Sequence, residues 1–369
     1  MSESRTEPRK ILVRGVNWLG DAVMTTPALM RLRERFPEAR ITMLCHEKLL
    51  GLWTAHPAIN DVRTFGDNDG PIATGRRLAD SAYDLSVIFP NSIRSALESF
   101  VARIPRRVGS ASSLRGMLLT DRVKPDPTVV KMRKRKPAEV SRLIETGERA
   151  QLPAAIPPQS HQIHHYLRIV GALGADTTPL PTRLALAGGD GEDLIGRIPA
   201  GVPIVGLNPG AEYGPAKRWP VERFADAANA LHAKTGCRFV VFGGKGDLVI
   251  AGQLTRRITS APVTVLAGRT SLSQLLEALG RCHVLLTNDT GPMHVAAALG
   301  VPVVVPFGST SPELTGPGLP GDPRHKLIRS NAECAPCFLR ECPVDFRCMK
   351  RIEVGEIVHA VEQSLPSRV

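Results

Sequence analysis

Long unbroken apolar runs are missing from this chain. Its most apolar region, Val295–Phe307, is cut by Gly300, Pro302 and Pro306, short of the roughly 18 residues a membrane-crossing helix needs, so no bilayer span is expected. The N-terminus, MSESRTEPRK, is polar and leads straight into a strand-like segment with no apolar stretch of signal-peptide type; the expected location is cytoplasmic. Aromatic residues make up only 4% and are not interleaved with basic ones, nor is there zinc-finger spacing, so no nucleic-acid partner is expected. The dinucleotide fingerprint GxGxxG is absent around Gly15 and Gly20, and Gly20-Asp21 lacks the lysine of a phosphate-binding P-loop. A dehydrogenase and a P-loop enzyme are therefore poor readings.

What is present fits a loop-rich α/β protein. With 369 residues the chain is too long for one ordinary core and divides most naturally into two domains. An apolar fraction of 43%, with 33 Gly and 31 Pro, excludes collagen-like, coiled-coil and disordered compositions. The net charge is +12, and Arg103–Lys136 holds eleven Lys or Arg against Asp121 and Asp126. That patch suits a phosphorylated or membrane-surface partner, or a basic loop that keeps the protein soluble. Beyond Val108 the pattern weakens and reads as a mobile insertion.

The chain is organised around Arg281–Gly308, RCHVLLTNDTGPMHVAAALGVPVVVPFG. Cys282–Leu286 reads as a buried parallel strand, and Asn288-Asp289-Thr290-Gly291 as a turn. A helix starts with Thr290 or Gly291 as cap and Pro292 in its first turn, and stops at Gly300 before the next buried strand. The amides at such a start favour an anion, with a diphosphate the natural guest.

The first half opens with a strand (Lys10–Gly15), the loop VNWLGD, a helix over Ala22–Phe36 that starts again or kinks at Thr26-Pro27, and a strand at Arg40–Cys45, the opening of a Rossmann-like unit. Asp21 closes that loop at the strand's carboxyl edge, beside Asn17 and Trp18, where it either faces a ligand or caps the helix. Strands follow at Val62–Phe65 and Leu85–Phe89, the second running into Asn91 and Arg94. His164 and His165, adjacent on a helix, point different ways and are assigned no metal.

In the second half the strand Pro203–Leu207 ends in Asn208-Pro209-Gly210 and a loop carrying Lys217 and Arg218, an anion-wrapping arrangement. Phe239–Phe242 ends in Gly243-Gly244-Lys245-Gly246-Asp247, where Asp247 is a turn residue or holds a ribose hydroxyl, and Val263–Leu266 is a further strand. Cys334, Cys337, Cys342 and Cys348 crowd together at C-x2-C-x4-C-x5-C. Reduced thiols are expected, with a structural zinc or iron as one reading, although the spacing is not a standard paired form.

Taken in order, RGVNWLGDAVMTTPAL, NPGAEYGPAKRWP, NDTGPMHVAAALGVPVVVPFGSTSP and CAPCFLRECPVDFRCMK resemble the ADP-heptose:lipopolysaccharide heptosyltransferases, glycosyltransferase family 9. The resemblance implies an α/β GT-B fold, with two Rossmann-like α/β/α domains facing a central cleft. It places an acceptor domain at 1–185, a nucleotide-sugar domain at 186–349 and a terminal helix at 350–369 crossing back to the first. It makes Asp21 the base for the acceptor hydroxyl and puts Lys217 on the donor diphosphate. Asn208, Arg218, Asp247, Asp289, Thr290, Gly291 and His294 fall on the donor side; Asn17, Trp18, Asn91 and Arg94 fall on the acceptor side. The implied partners are ADP-heptose, the lipopolysaccharide inner-core acceptor and the anionic inner-membrane surface, on whose cytoplasmic face the enzyme would sit peripherally. No cofactor is obligatory, and Mg²⁺ is at most an aid. The rival readings are another GT-B nucleotide-sugar enzyme, such as an epimerase, and a non-catalytic nucleotide-binding assembly protein.

Overall fold

The apolar runs that read as strands become the middles of two sheets because side chains buried on both faces suit parallel strands covered by helices. The computed structural model describes residues 7–111, 113–150, 156–188, 194–196, 199 and 201–366. One sheet holds β1 (Lys10–Arg14), β2 (Arg40–His46), β3 (Asp61–Phe65), β4 (Leu85–Ile88), β5 (Arg106–Ser110) and β6 (Asp121–Val123). The other holds β7 (Ile204–Asn208), β8 (Arg238–Val241), β9 (Val263–Val265), β10 (Val284–Thr287), β11 (Val303–Phe307) and β12 (Lys326–Arg329). Their orders are β3-β2-β1-β4-β5-β6 and β12-β11-β10-β7-β8-β9, the same doubly wound order twice. In each unit the order reverses between the first and fourth strands, β1 and β4 or β7 and β10, and ligands of open α/β sheets bind outside the carboxyl ends at that point.

Three strands escape the sequence reading: β5, β6 and β12. The stretch beyond Val108 is not a loose insertion, since Val108, Gly109 and Ser110 pair in parallel with Asp121, Arg122 and Val123, and Ser113–Leu118 forms a 3-10 turn between them. The chain groups into one unit of Met1–Val129 with Gln162–Ala187 and a second of Val130–His161 with Gly188–Val369. The division falls after Ala187, and 130–161 groups with the second unit. Arg135 is buried there; its amide donates to the Cys337 carbonyl at 2.9 Å and its Nε to the Pro336 carbonyl at 3.2 Å. The terminal helix, Val354–Ser364, packs on Val221–Thr235 and contributes Ile357, Val358 and Val361 to the core of the second unit. No described helix is long and apolar enough to cross a membrane.

Candidate active site

In the second unit the loops after β7 and β10 are stapled by one residue. Asn288 is fully buried; its Nδ2 donates to the carbonyls of Pro209 (2.8 Å) and Gly210 (3.3 Å), and its Oδ1 accepts the Trp219 amide at 2.9 Å. Asn208, at the end of β7, donates to Thr287 Oγ1 at 3.0 Å. These bonds satisfy buried polar groups that would otherwise cost about 1–3 kcal/mol each, and they fix the loop that carries Lys217.

Lys217 Nζ lies 2.7 Å from Asp289 Oδ2, with side-chain exposures of 14% and 5%, so the pair is largely withdrawn from solvent. The same oxygen accepts Thr310 Oγ1 at 2.6 Å. Thr290 is the extended residue just before the helix Gly291–Ala298, whose first turn carries Pro292; the amides of such a turn have no partner within the helix. Gly300, at φ +83°, ends it in the left-handed region, as expected. An ammonium and a helix start thus converge on one spot, the arrangement that receives a diphosphate.

His294, one turn into that helix, is buried, and burial pushes its imidazole down to about 4, outweighing the opposing pull of Asp289. It stays neutral at physiological pH. Asp247 accepts the Gly244 amide at 3.0 Å and lies 3.9 Å from the Arg218 guanidinium. A Cβ at Gly210 would strike its carboxylate, so this glycine is what lets the loops after β7 and β8 meet. The donor-side residues named from sequence therefore gather at one sheet edge.

The cysteine-rich segment supports that edge. Tyr213 Oη donates to the Phe338 carbonyl (2.9 Å), the Ala216 amide donates to the Arg340 carbonyl (2.9 Å), and the Tyr213 ring has Lys217 Nζ and the Arg340 guanidinium each 5.1 Å from its centroid. All four cysteines are free. Cys334 and Cys337 pack with Val140 and Leu339, and burial pushes Cys334 up to about 11 and Cys348 to about 12, with repulsion from neighbouring cysteines adding to it. Among the described residues no group of three or more His, Cys, Asp or Glu side chains is arranged to hold a metal ion. Cys334 and Cys337 thus contribute to the packing of this segment.

In the first unit Asp21 lies in the first turn of Leu19–Met24, and a second helix, Thr26–Arg35, starts immediately after Thr25 with Pro27 in its first turn. The buried phenol of Tyr166 is held un-ionised by desolvation first and by the charge of Asp21 second. Asn17 and Trp18 are exposed on the loop before Asp21, and Asn91 and Arg94 follow β4. Asn17 Oδ1 accepts Arg14 Nη1 at 3.1 Å. Asp21 and the acceptor-side residues thus sit on the loops after β1 and β4 and in the first turns of the helices that follow them, at this unit's own switch point.

Three of these participants escaped the sequence reading: Thr310, Tyr213 and Arg14. Only Arg14 gave a local signal, a charge inside the otherwise apolar KILVRG; the others depend on contacts between distant segments.

Two such doubly wound units in one chain, each with charged side chains at its switch point, make up the α/β architecture of a GT-B fold. The model for glycosyltransferase family 9 (heptosyltransferase) matches residues 72–346. The chain is 30% identical over 319 residues to lipooligosaccharide heptosyltransferase 2 of Haemophilus ducreyi, covering 84% of this chain and 86% of the relative. It is also 30% identical over 326 residues to lipopolysaccharide heptosyltransferase 2 of Escherichia coli, covering 84% and 85%. The solved structure of E. coli ADP-heptose lipopolysaccharide heptosyltransferase II aligns with a TM-score of 0.75 and 25% identity, over 96% of this chain and 98% of that one. The chain belongs to glycosyltransferase family 9 and is a glycosyltransferase.

Proposed function

We propose that this enzyme transfers L-glycero-D-manno-heptose from ADP-heptose to the heptosylated inner core on Kdo-lipid A, the reaction type of heptosyltransferase II. The observation that carries this reading is the Lys217–Asp289 pair beside the start of Gly291–Ala298, in a chain of this family. The acceptor hydroxyl attacks the anomeric carbon and passes its proton to Asp21 as the bond to the diphosphate breaks. Negative charge gathers on the departing ADP, where the Lys217 ammonium and the amides after Thr290 receive it. Asp247 suits the ribose, and Asp289 a donor hydroxyl. A single displacement without a protein nucleophile inverts the anomeric centre. Mg²⁺ is an aid to the leaving diphosphate at most.

Incubation with ADP-heptose and defined truncated lipopolysaccharide acceptors tests this, with mass spectrometry of the product. One added heptosyl group on the singly heptosylated acceptor is expected; activity with UDP- or GDP-sugars alone overturns the reading.

A lipid-anchored acceptor also fits peripheral contact with the anionic cytoplasmic face of the inner membrane. Support comes from the basic segment, where Leu114 and Met117 are two-thirds exposed on the 3-10 turn between β5 and β6 and Lys131, Arg133 and Lys134 lie exposed further on. Arg135 is excluded from any test because it is buried and bonded to Pro336. Neutral substitution of Lys131, Arg133 and Lys134 is expected to weaken co-sedimentation with anionic liposomes; unchanged binding removes this segment from the contact.

A further inference from the structure

The two carbonyls by which the cysteine-rich segment holds the Lys217 loop both lie between Cys337 and Cys342. Phe338 O accepts Tyr213 Oη at 2.9 Å, and Arg340 O accepts the Ala216 amide at 2.9 Å. The approach is close, since a Cβ at Gly214 would strike the Arg340 carbonyl. Phe338 lies in the left-handed region at φ +56°, a conformation that a residue other than glycine keeps only where its surroundings hold it. Here its amide donates to Ser309 O at 2.7 Å, beside Thr310, and the Arg135 amide donates to Cys337 O at 2.9 Å. Residues 338–341 are therefore a strut between two cysteines, pressed against the loop that carries the donor-side ammonium.

The thiols at its ends differ in access. Cys334, Cys337 and Cys348 are buried, whereas Cys342 is half-buried, so it is the member of the cluster that solvent reaches. Its Sγ accepts the Phe346 amide at 3.3 Å, which holds the sulfur in place. Burial pushes the Cys337 thiol up, and Cys342 adds to the rise, so the two sulfurs lie within electrostatic reach of each other. Cys334 and Cys348 lie outside the strut along the chain, and a bond between them would not enclose it.

Resting on the reading of Lys217 as the cation of the donor diphosphate, we infer that Cys342 is a peroxide-sensitive thiol that closes on Cys337, and that the disulfide releases the Lys217 loop. The Cys342 thiolate attacks one oxygen of a hydroperoxide, the O–O bond breaks, and the departing oxygen takes a proton and leaves as water or an alcohol. The Cys337 thiolate then attacks the Cys342 sulfur, the S–O bond breaks and water leaves. Two thiols are oxidised to one disulfide, and the peroxide is reduced. Drawing the sulfurs to the roughly 2.05 Å of a disulfide closes a ring around residues 338–341 and turns both carbonyls away from Tyr213 and Ala216. A thiol reductant reverses the change.

The test compares the full-length enzyme, C342S and C334S after hydrogen peroxide and again after dithiothreitol. In the wild type, peptide mapping should find the Cys337–Cys342 disulfide and trypsin should cut faster after Lys217 and Arg218. The Kd for ADP by calorimetry should rise about tenfold, in the range of a lost hydrogen bond. Dithiothreitol should restore all three. C342S should match the reduced wild type and ignore peroxide, whereas C334S should respond as the wild type does. Undiminished peroxide sensitivity in C342S, a disulfide on another pair instead, or the Cys337–Cys342 disulfide with cleavage after Lys217 unchanged overturns the inference. So does elemental analysis that finds a metal bound by these thiols. If the reduced wild type does not bind ADP, the donor-edge reading fails instead, and tryptic cleavage after Lys217 and Arg218 still decides for the switch.

Discussion

The two sheets share one strand order, yet their switch-point edges are charged in different ways. In the second unit one ammonium meets one carboxylate, Lys217 with Asp289, and a hydroxyl from Thr310 completes the group. In the first, Arg14 and Arg94 share Glu98, and Arg115 donates to main-chain carbonyls. A balanced pair can exchange its carboxylate for a phosphate and return to it after each turnover. A set of guanidiniums is a fixed frame, because arginine stays charged and holds its planar fork. The same topology thus carries an ammonium–carboxylate pair at one edge and a guanidinium frame at the other.

The sharpest way to break this division is to remove the base. Asp21→Asn is expected to lower kcat by about 100- to 10,000-fold, with ADP affinity by calorimetry nearly unchanged; a parallel loss of ADP binding would make Asp21 part of the donor edge. Next is Lys217→Met, expected to cost about 100- to 1000-fold in kcat, in the range of losing one preorganised donor, and to weaken ADP binding. Asp289→Asn separates the partners: the ammonium loses its guide while its competitor for phosphate is removed. Its kcat should fall by about tenfold or more without a matching loss of ADP affinity. Asn288→Ala leaves the Trp219 amide without its acceptor and should cost about 1–3 kcal/mol of stability, read by denaturant unfolding.

How far sequence carried this picture follows the same contrast. The donor edge is built from local turn chemistry, NPG, AKRWP and NDTG, so Lys217, Asp289 and Thr290 were legible, as were the apolar strands beside them. Strand β5, with two arginines in RRVGS, and the edge strands β6 and β12, DRV and KLIR, carry charge on part-exposed positions. Short strands with charged edges lack the apolar run that marks a buried one. The arginine frame was illegible because Arg14 meets Glu98 across 84 residues, and no periodicity encodes that meeting. Arg135 misled for the opposite reason: it looks like one more charge in KMRKRK, and only the fold shows it bonded beneath the cysteine segment.

The smallest expected effect concerns acid, and it separates the edges by their histidines. Burial holds His294 of the donor edge near 4, and likewise His165, near the acceptor edge, whose ring lies 3.3 Å from Ser110 Oγ. Both would titrate near 6.5 in the unfolded chain, so between about 4 and 6.5 the unfolded state binds more protons and folding stability rises with pH. The stability these neutral rings contribute is fully present above 6.5 and is lost as pH falls toward 4, each ring accounting for at most about 3 kcal/mol. Thermal unfolding should therefore move to lower temperature as pH drops from 7 to 5. His294→Asn should flatten that slope in the second unit, while His165→Asn flattens it in the first. An unchanged slope in both variants would mean that neither ring is kept neutral by its surroundings.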